Sequence, residues 1–237
     1  MSFRRIGIMG GTFDPVHWGH LEAAFAAETA LKLMRLIVIT SKVPPHREEP
    51  HASEYHRFAM VALAVAGRTG WRASDLELRL DTESYTASTL LKFHERGYAP
   101  AELFFIIGAD AFAEIGSWKD YPAVLEYAHF AVVSRPGHPI DDLPHRLPKL
   151  AERMVKPPLD AISHLDPMIV LIDSPTSDVS ATAIRDRRAR GESIAGLVPD
   201  AVRQHIEQHG LYTARTPGRR ASDSPMAAEA GRMHGEN

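Results

Sequence analysis

The chain's 237 residues are 44% hydrophobic and 24% charged, which is enough apolar material for a sizeable core and too much for a disordered chain. Basic and acidic side chains number 27 and 30, for a net charge of −3, so the cationic excess of proteins that coat nucleic acid is excluded and no nucleic-acid partner is expected. The absence of cysteine excludes disulfides, thiolate metal sites and cysteine nucleophiles.

Residues 3–9 are short, apolar-rich and followed by Gly10-Gly11, the pattern of a buried first strand. Ala27, Leu31 and Met34 then recur at helical spacing, and residues 36–40 form a continuous β-branched run, as in a strand covered on both faces. The prolines of Val43-Pro-Pro-His-Arg47 dictate a loop. A helix over 54–65, a strand over 71–78 and a helix over 86–96, ended by Gly97, come next. Residues 103–107 read as the clearest buried strand, with further strands over 130–134 and 169–172. Residues 138–167, rich in proline and histidine, read as loops with a short helix. Helices over 181–190 and 202–209 close the pattern.

Alternating strands and helices predict an α/β fold: a single Rossmann-like, doubly wound, mostly parallel sheet with helices on both faces. Residues 1–213 form this domain, and residues 214–237, polar and without periodicity, read as a disordered tail. The apolar stretch near the N-terminus is too short for a signal peptide, and the longest apolar run, 59–66, is far below the ~20 residues that span a bilayer. No membrane partner is expected, and the chain reads as cytoplasmic.

The segment Gly10-Gly-Thr-Phe-Asp-Pro-Val-His-Trp-Gly-His20 lies between the first strand and the first helix, where open α/β sheets bind ligands. Two glycines let backbone N–H groups approach a phosphate. His17 and His20, three apart, can face one side of the turn that enters the helix, where imidazole donors suit developing negative charge. A zinc reading of the pair lacks a third ligand. The segment after the last strand, Ser180-Ala-Thr-Ala-Ile-Arg185, opens a helix. Asp178 or Ser180 can cap it, and the fork of Arg185 can grip phosphate oxygens. Asp110 follows Gly108 at the end of a strand, a place where carboxylates accept ribose hydroxyls or cap helices.

The segment Gly11-Thr-Phe-Asp-Pro-Val-His-Trp-Gly-His20 resembles the signature of the HxGH nucleotidyltransferases. Val43-Pro-Pro-His-Arg47, Ser84-Tyr-Thr86, Gly108-Ala-Asp110 with Trp118, Arg135-Pro-Gly137, Val179-Ser-Ala-Thr-Ala-Ile-Arg185 and Gly210-Leu-Tyr212 narrow the resemblance to the bacterial nicotinate-nucleotide adenylyltransferases. The resemblance implies adenylyl transfer from ATP to nicotinate mononucleotide, giving nicotinate adenine dinucleotide and pyrophosphate in NAD biosynthesis. It implies catalytic roles for His17, His20 and Arg185. ATP would meet Gly10, Gly11, Thr12, Phe13, His17, His20, Gly108, Asp110, Ser180, Thr182 and Arg185. The mononucleotide would meet Arg47, Tyr85, Thr86, Trp118 and Arg135. Mg2+ would accompany ATP, with no protein ligand to the metal assigned. Lys42 stands where the pattern favours asparagine and receives no role. Phosphopantetheine adenylyltransferase shares the histidine signature but is shorter and lacks the Ser84-Tyr-Thr86 and Trp118 segments. A dinucleotide-dependent oxidoreductase should show G-x-G-x-x-G, which Gly10-Gly-Thr-Phe-Asp-Pro does not fit. A catalytically silent nucleotide-binding regulator would not need both histidines and Arg185. The sequence leaves homo-oligomerisation open.

Overall fold

The computed structural model describes residues 4–42, 49–80, 83–158 and 166–214. In chain order the elements are β1 (Ile6–Gly11), α1 (Trp18–Leu31), β2 (Arg35–Thr40), α2 (Glu54–Val65), β3 (Trp71–Ser74), α3 (Thr86–Glu95), β4 (Leu103–Gly108), α4 (Ala109–Phe112), β5 (His129–Val133), α5 (Leu143–Arg146), β6 (Met154–Val155), β7 (Ile169–Ile172), α6 (Ala181–Ala189) and α7 (Asp200–Gln208). The strands form one seven-stranded sheet in the order β3-β2-β1-β4-β5-β7-β6. Every pairing in it is parallel.

Alternation along β4 shows how both faces are covered. Phe104 and Ile106 join the core under α1, α2, α6 and α7, with Leu31, Met60, Ile184 and Ile206. Leu103, Phe105 and Ile107 join the opposite core with Leu90 and Phe93 of α3 and Phe112 of α4. Strands buried on both faces need apolar residues at every position, which explains their unbroken hydrophobic runs. The order of strands reverses at β1, which pairs with β2 on one side and β4 on the other. At such a switch point the loops leaving adjacent strands diverge to opposite faces and open a crevice.

Four details depart from the sequence reading. Gly10 and Gly11 lie within β1, paired with Ile39 and Thr40, rather than closing it. The α1 helix ends before Met34, because Lys32 adopts a left-handed conformation (φ 51°). Met34, 63% exposed, therefore lies outside the helical stripe that its spacing implies. β3 stops at Ser74, whose hydroxyl accepts the Leu76 N–H at 3.2 Å and begins a turn. Within the segment read as loops, the two-residue β6 pairs with β7 at the sheet edge; two residues are too few to carry a period.

Candidate active site

Beyond β1 the chain turns sharply. Phe13 takes a left-handed conformation (φ 50°), which is unusual for a bulky side chain. The turn folds its ring under the end of β1, where a Cβ on Gly11 would lie 2.9 Å from that ring. Glycine at 11 is thus required by close approach. Asp14, 5% exposed, holds the middle of the loop. Its carboxylate accepts the His51 N–H at 2.7 Å, the Ala52 N–H at 3.1 Å and the Tyr212 hydroxyl at 2.7 Å. That tyrosine's own ionisation is pushed far upward by burial and by the neighbouring Asp14 charge.

His17 precedes the first turn of α1, and His20 lies in that turn. Their ring centroids are 3.8 Å apart. The His17 backbone N–H donates to His20 Nδ1 at 3.4 Å, so in the neutral ring Nε2 carries the proton. The edge of Phe13 supports the His20 ring at 5.1 Å. His17 is 2% exposed, and its Nδ1 has no hydrogen-bond partner among the described residues. Burial, reinforced by the Arg135 guanidinium, pushes its pKa down to about 3, so the ring is neutral at pH 7.

Two arginines flank this pair. Arg135, just beyond β5, donates to the Gly19 carbonyl at 3.3 Å. A Cβ on Gly19 would lie 3.1 Å from the Arg135 guanidinium, 3.2 Å from His17 Nδ1 and 3.2 Å from the Ser177 carbonyl. Gly19 therefore makes room for the whole cluster. Arg185, on α6, donates to the Asp14 carbonyl at 2.8 Å and to the Thr182 hydroxyl at 3.2 Å. Ser180 rather than Asp178 caps α6, accepting the Ala183 N–H at 3.1 Å. Gly108 ends β4 with Asp110 and Arg135 packed over it, leaving no space for a Cβ.

The structure thus gathers Gly10, Gly11, Thr12, Phe13, His17, His20, Arg135 and Arg185 around one loop, with Gly108 and Asp110 against Arg135. Tyr85, Thr86 and Trp118 belong to a second group. Tyr85 and Thr86 open α3. Trp118 meets Phe105 edge-on at 6.2 Å. Lys119, its neighbour, lies 4.1 Å over the Tyr85 ring and joins the two segments. The Tyr85 hydroxyl donates to Glu83. Arg47 falls outside the described residues.

Sequence reasoning missed the scaffold beneath the loop. Arg57 of α2, 1% exposed, donates to the carbonyls of Thr12 (2.8 Å), Ser41 (2.6 Å), Lys42 (3.1 Å) and Ala52 (3.2 Å). Burial lowers its pKa, with Asp14 the largest opposing charge. Lys42, given no role, bridges toward α3: its N–H donates to the Ser84 hydroxyl at 3.0 Å and its Nζ to the Leu80 carbonyl at 2.8 Å. Glu22 of α1 accepts the Ser177 N–H at 2.5 Å and the Ser177 hydroxyl at 2.8 Å, tying α1 to the segment that enters α6. A motif of Gly, His and Pro does not name such distant partners; a lone arginine in an otherwise apolar helical stripe, as at Arg57, was the only signal available.

A family model described as cytidylyltransferase-like matches residues 8–187. A protein of Citrobacter koseri, named "Probable nicotinate-nucleotide adenylyltransferase", is 38% identical over 206 residues, covering 86% of this chain and 97% of its own length. A Roseiflexus protein of the same name is 40% identical over 213 residues, covering 90% and 100%. Among solved structures, a Plasmodium falciparum nicotinic acid mononucleotide adenylyltransferase complexed with NaAD superposes with a TM-score of 0.67 at 18% identity, covering 88% of this chain and 97% of that one. The same enzyme complexed with APC gives 0.66 at 17% identity, with the same coverage.

Proposed function

The chain belongs to the cytidylyltransferase-like family and, within it, to the nicotinate-nucleotide adenylyltransferases, and from that premise we propose how its residues divide the work of adenylyl transfer. The reaction joins ATP and nicotinate mononucleotide. A phosphate oxygen of the mononucleotide attacks the α-phosphorus of ATP, the bond from that phosphorus to the bridging oxygen breaks, and pyrophosphate leaves. No protein nucleophile is needed, so catalysis rests on positioning and charge stabilisation.

One observation carries the assignment: His17, His20, Arg135 and Arg185 surround a single loop at the switch point of the sheet. Gly10, Gly11, Thr12 and Phe13 form the floor for ATP, with Asp110 beyond Gly108 for its ribose. Ser180 and Thr182 present the start of α6 to its phosphates. The His20 Nε2–H and the neutral His17 ring donate hydrogen bonds to the α-phosphate as negative charge grows on it. Arg185 supplies fixed charge on the ATP side. Arg135, beside His17 and Gly108, stands where the two reacting phosphates meet and serves the mononucleotide phosphate together with Arg47. Tyr85, Thr86 and Trp118 receive the nicotinate ring and carboxylate, with Lys119 adding positive charge beside them.

Magnesium enters as part of the ATP substrate. The donors facing the loop are imidazole and guanidinium nitrogens, whereas magnesium demands oxygen ligands. The Asp14 carboxylate is already engaged by three donors. Phosphate oxygens and water therefore hold the ion. No helix among the described residues is long and apolar enough to cross a membrane, and we place the reaction in the cytoplasm.

The test is to incubate the protein with MgATP and either nicotinate or nicotinamide mononucleotide and measure pyrophosphate. The acid should be preferred by at least about tenfold in kcat/KM, since an amide would leave donors arranged for a carboxylate mispaired. Equal kcat/KM for the two would remove the carboxylate reading of the Tyr85, Thr86 and Trp118 group.

A further inference from the structure

The helices α2 and α7 pack against each other on one face of the sheet. Three histidines converge where they meet. His56 lies in the first turn of α2, His205 near the end of α7, and His209 one turn further on at the C-cap of that helix. The His56 Nδ1 is 3.1 Å from His205 Nε2. Ring centroids are 5.2 Å apart for His56 and His205, 4.9 Å for His56 and His209, and 4.5 Å for His205 and His209. One ring nitrogen from each lies within 4.8 Å of the other two. His56 and His205 are half-buried, and His209 is exposed.

We propose that His56, His205 and His209 form a three-imidazole site for a transition-metal cation of the zinc class, bridging α2 and α7. Tetrahedral zinc with bonds of about 2.0–2.1 Å places its ligand nitrogens about 3.3 Å apart. The His56–His205 pair already stands close to that spacing. His209, exposed at a helix end, completes the set by a side-chain rotation. Histidines four apart on one helix face, joined by a third from a neighbouring helix, supply three neutral nitrogen ligands and leave a fourth position for water. Such a donor set selects zinc, nickel or copper over magnesium or calcium, which demand oxygen.

The site is separate from the reacting loop but shares its supports. Arg57, the residue after His56, holds the carbonyls of Thr12, Ser41 and Lys42. Tyr212, three residues beyond His209, donates to Asp14. A cation joining His56 to His205 and His209 clamps the two elements whose neighbouring residues Arg57 and Tyr212 hold the loop. Its effect is on stability, and no step of adenylyl transfer passes through it.

The experiment uses the untagged full chain, stripped with a chelator that is then dialysed away. Zinc binding is followed by calorimetry, cobalt binding by visible absorption, and Tm is measured with and without zinc. We expect one tight equivalent of zinc, cobalt bands of tetrahedral type, and a rise in Tm of about 5–10 °C at zinc a hundred-fold above Kd. Loss of a partner outside the metal's own ligands already weakens sites by about 10–100-fold. The variants His209→Ala and His56→Gln should therefore weaken zinc at least about tenfold and abolish the Tm rise. His209 is exposed, so its alanine variant should match the parent in metal-free Tm and in kcat. No Tm rise with zinc, or unchanged zinc affinity in both variants, would overturn the proposal.

Discussion

The His17 ring is 2% exposed and lies beside the Arg135 guanidinium, and both conditions oppose a proton on it. Its pKa falls from 6.5 to about 3 on folding. Between those values the unfolded chain binds the extra proton, so the ring's contribution to stability is fully present above pH 6.5 and is lost as the pH falls toward 3. Urea unfolding at pH 7.5 and pH 5 should show the parent losing about 1–2 kcal/mol more than His17→Gln over that interval; parallel losses would mean the ring is not held neutral by the fold. His20 is set differently. Its Nδ1 accepts from the His17 N–H, which aims Nε2–H away from the backbone. Removing one preorganised donor of this kind costs about 10²–10³ in rate. His20→Ala should lower kcat by that factor and leave Tm nearly unchanged. A near-normal kcat with a clearly lowered Tm would assign His20 to packing.

The first loop is held by elements remote from it in sequence. Asp14 receives donors from residues 51 and 52, ahead of α2, and from Tyr212, beyond α7. In Tyr212→Phe the ring still packs but the buried carboxylate loses one donor, which costs about 1–3 kcal/mol. Calorimetric melting should show the loss, and KM for ATP should rise because Asp14 sits between Phe13 and the histidine pair. An unchanged Tm would mean water replaces the hydroxyl. The strands β2, β4, β5 and β7 were legible because strands covered on both faces need continuous apolar runs, and α2, α3, α6 and α7 because their patterns end at recognisable stops. The glycines of β1 misled, because Gly11 is small to admit the Phe13 ring against the strand end, and the same residue type also marks turns. The bond from Tyr212 to Asp14 spans 198 residues, and no local period encodes it.

At the scale of the molecule, the motifs alone placed His17, His20 and Arg185 at one sheet end, because parallel strands deliver all their following loops to the same edge. They did not reveal that the C-terminal Gly210-Leu-Tyr212 segment closes the fold. Leu211 and Tyr212 pack against the core that contains α1, α2, α6 and α7, and the Leu211 N–H donates to the Ile206 carbonyl at 3.0 Å. The sequence after Ala214 has no apolar periodicity with which to dock. Two truncations should therefore behave in opposite ways. A chain ending at Ala214 should keep the parent's Tm and kcat. A chain ending at Leu211 loses the Tyr212 donor and its packing and sets a terminal carboxylate near Asp14. Each kcal/mol lost shifts Tm by about 2–4 °C in a chain of this size, so a hydrogen bond worth about 1–3 kcal/mol predicts a fall of roughly 3–10 °C. Scanning calorimetry and pyrophosphate release on both chains decide the matter. A large loss in the longer truncate would show that residues 215–237 carry part of the fold, and an intact shorter one would show that Tyr212 does not secure the loop.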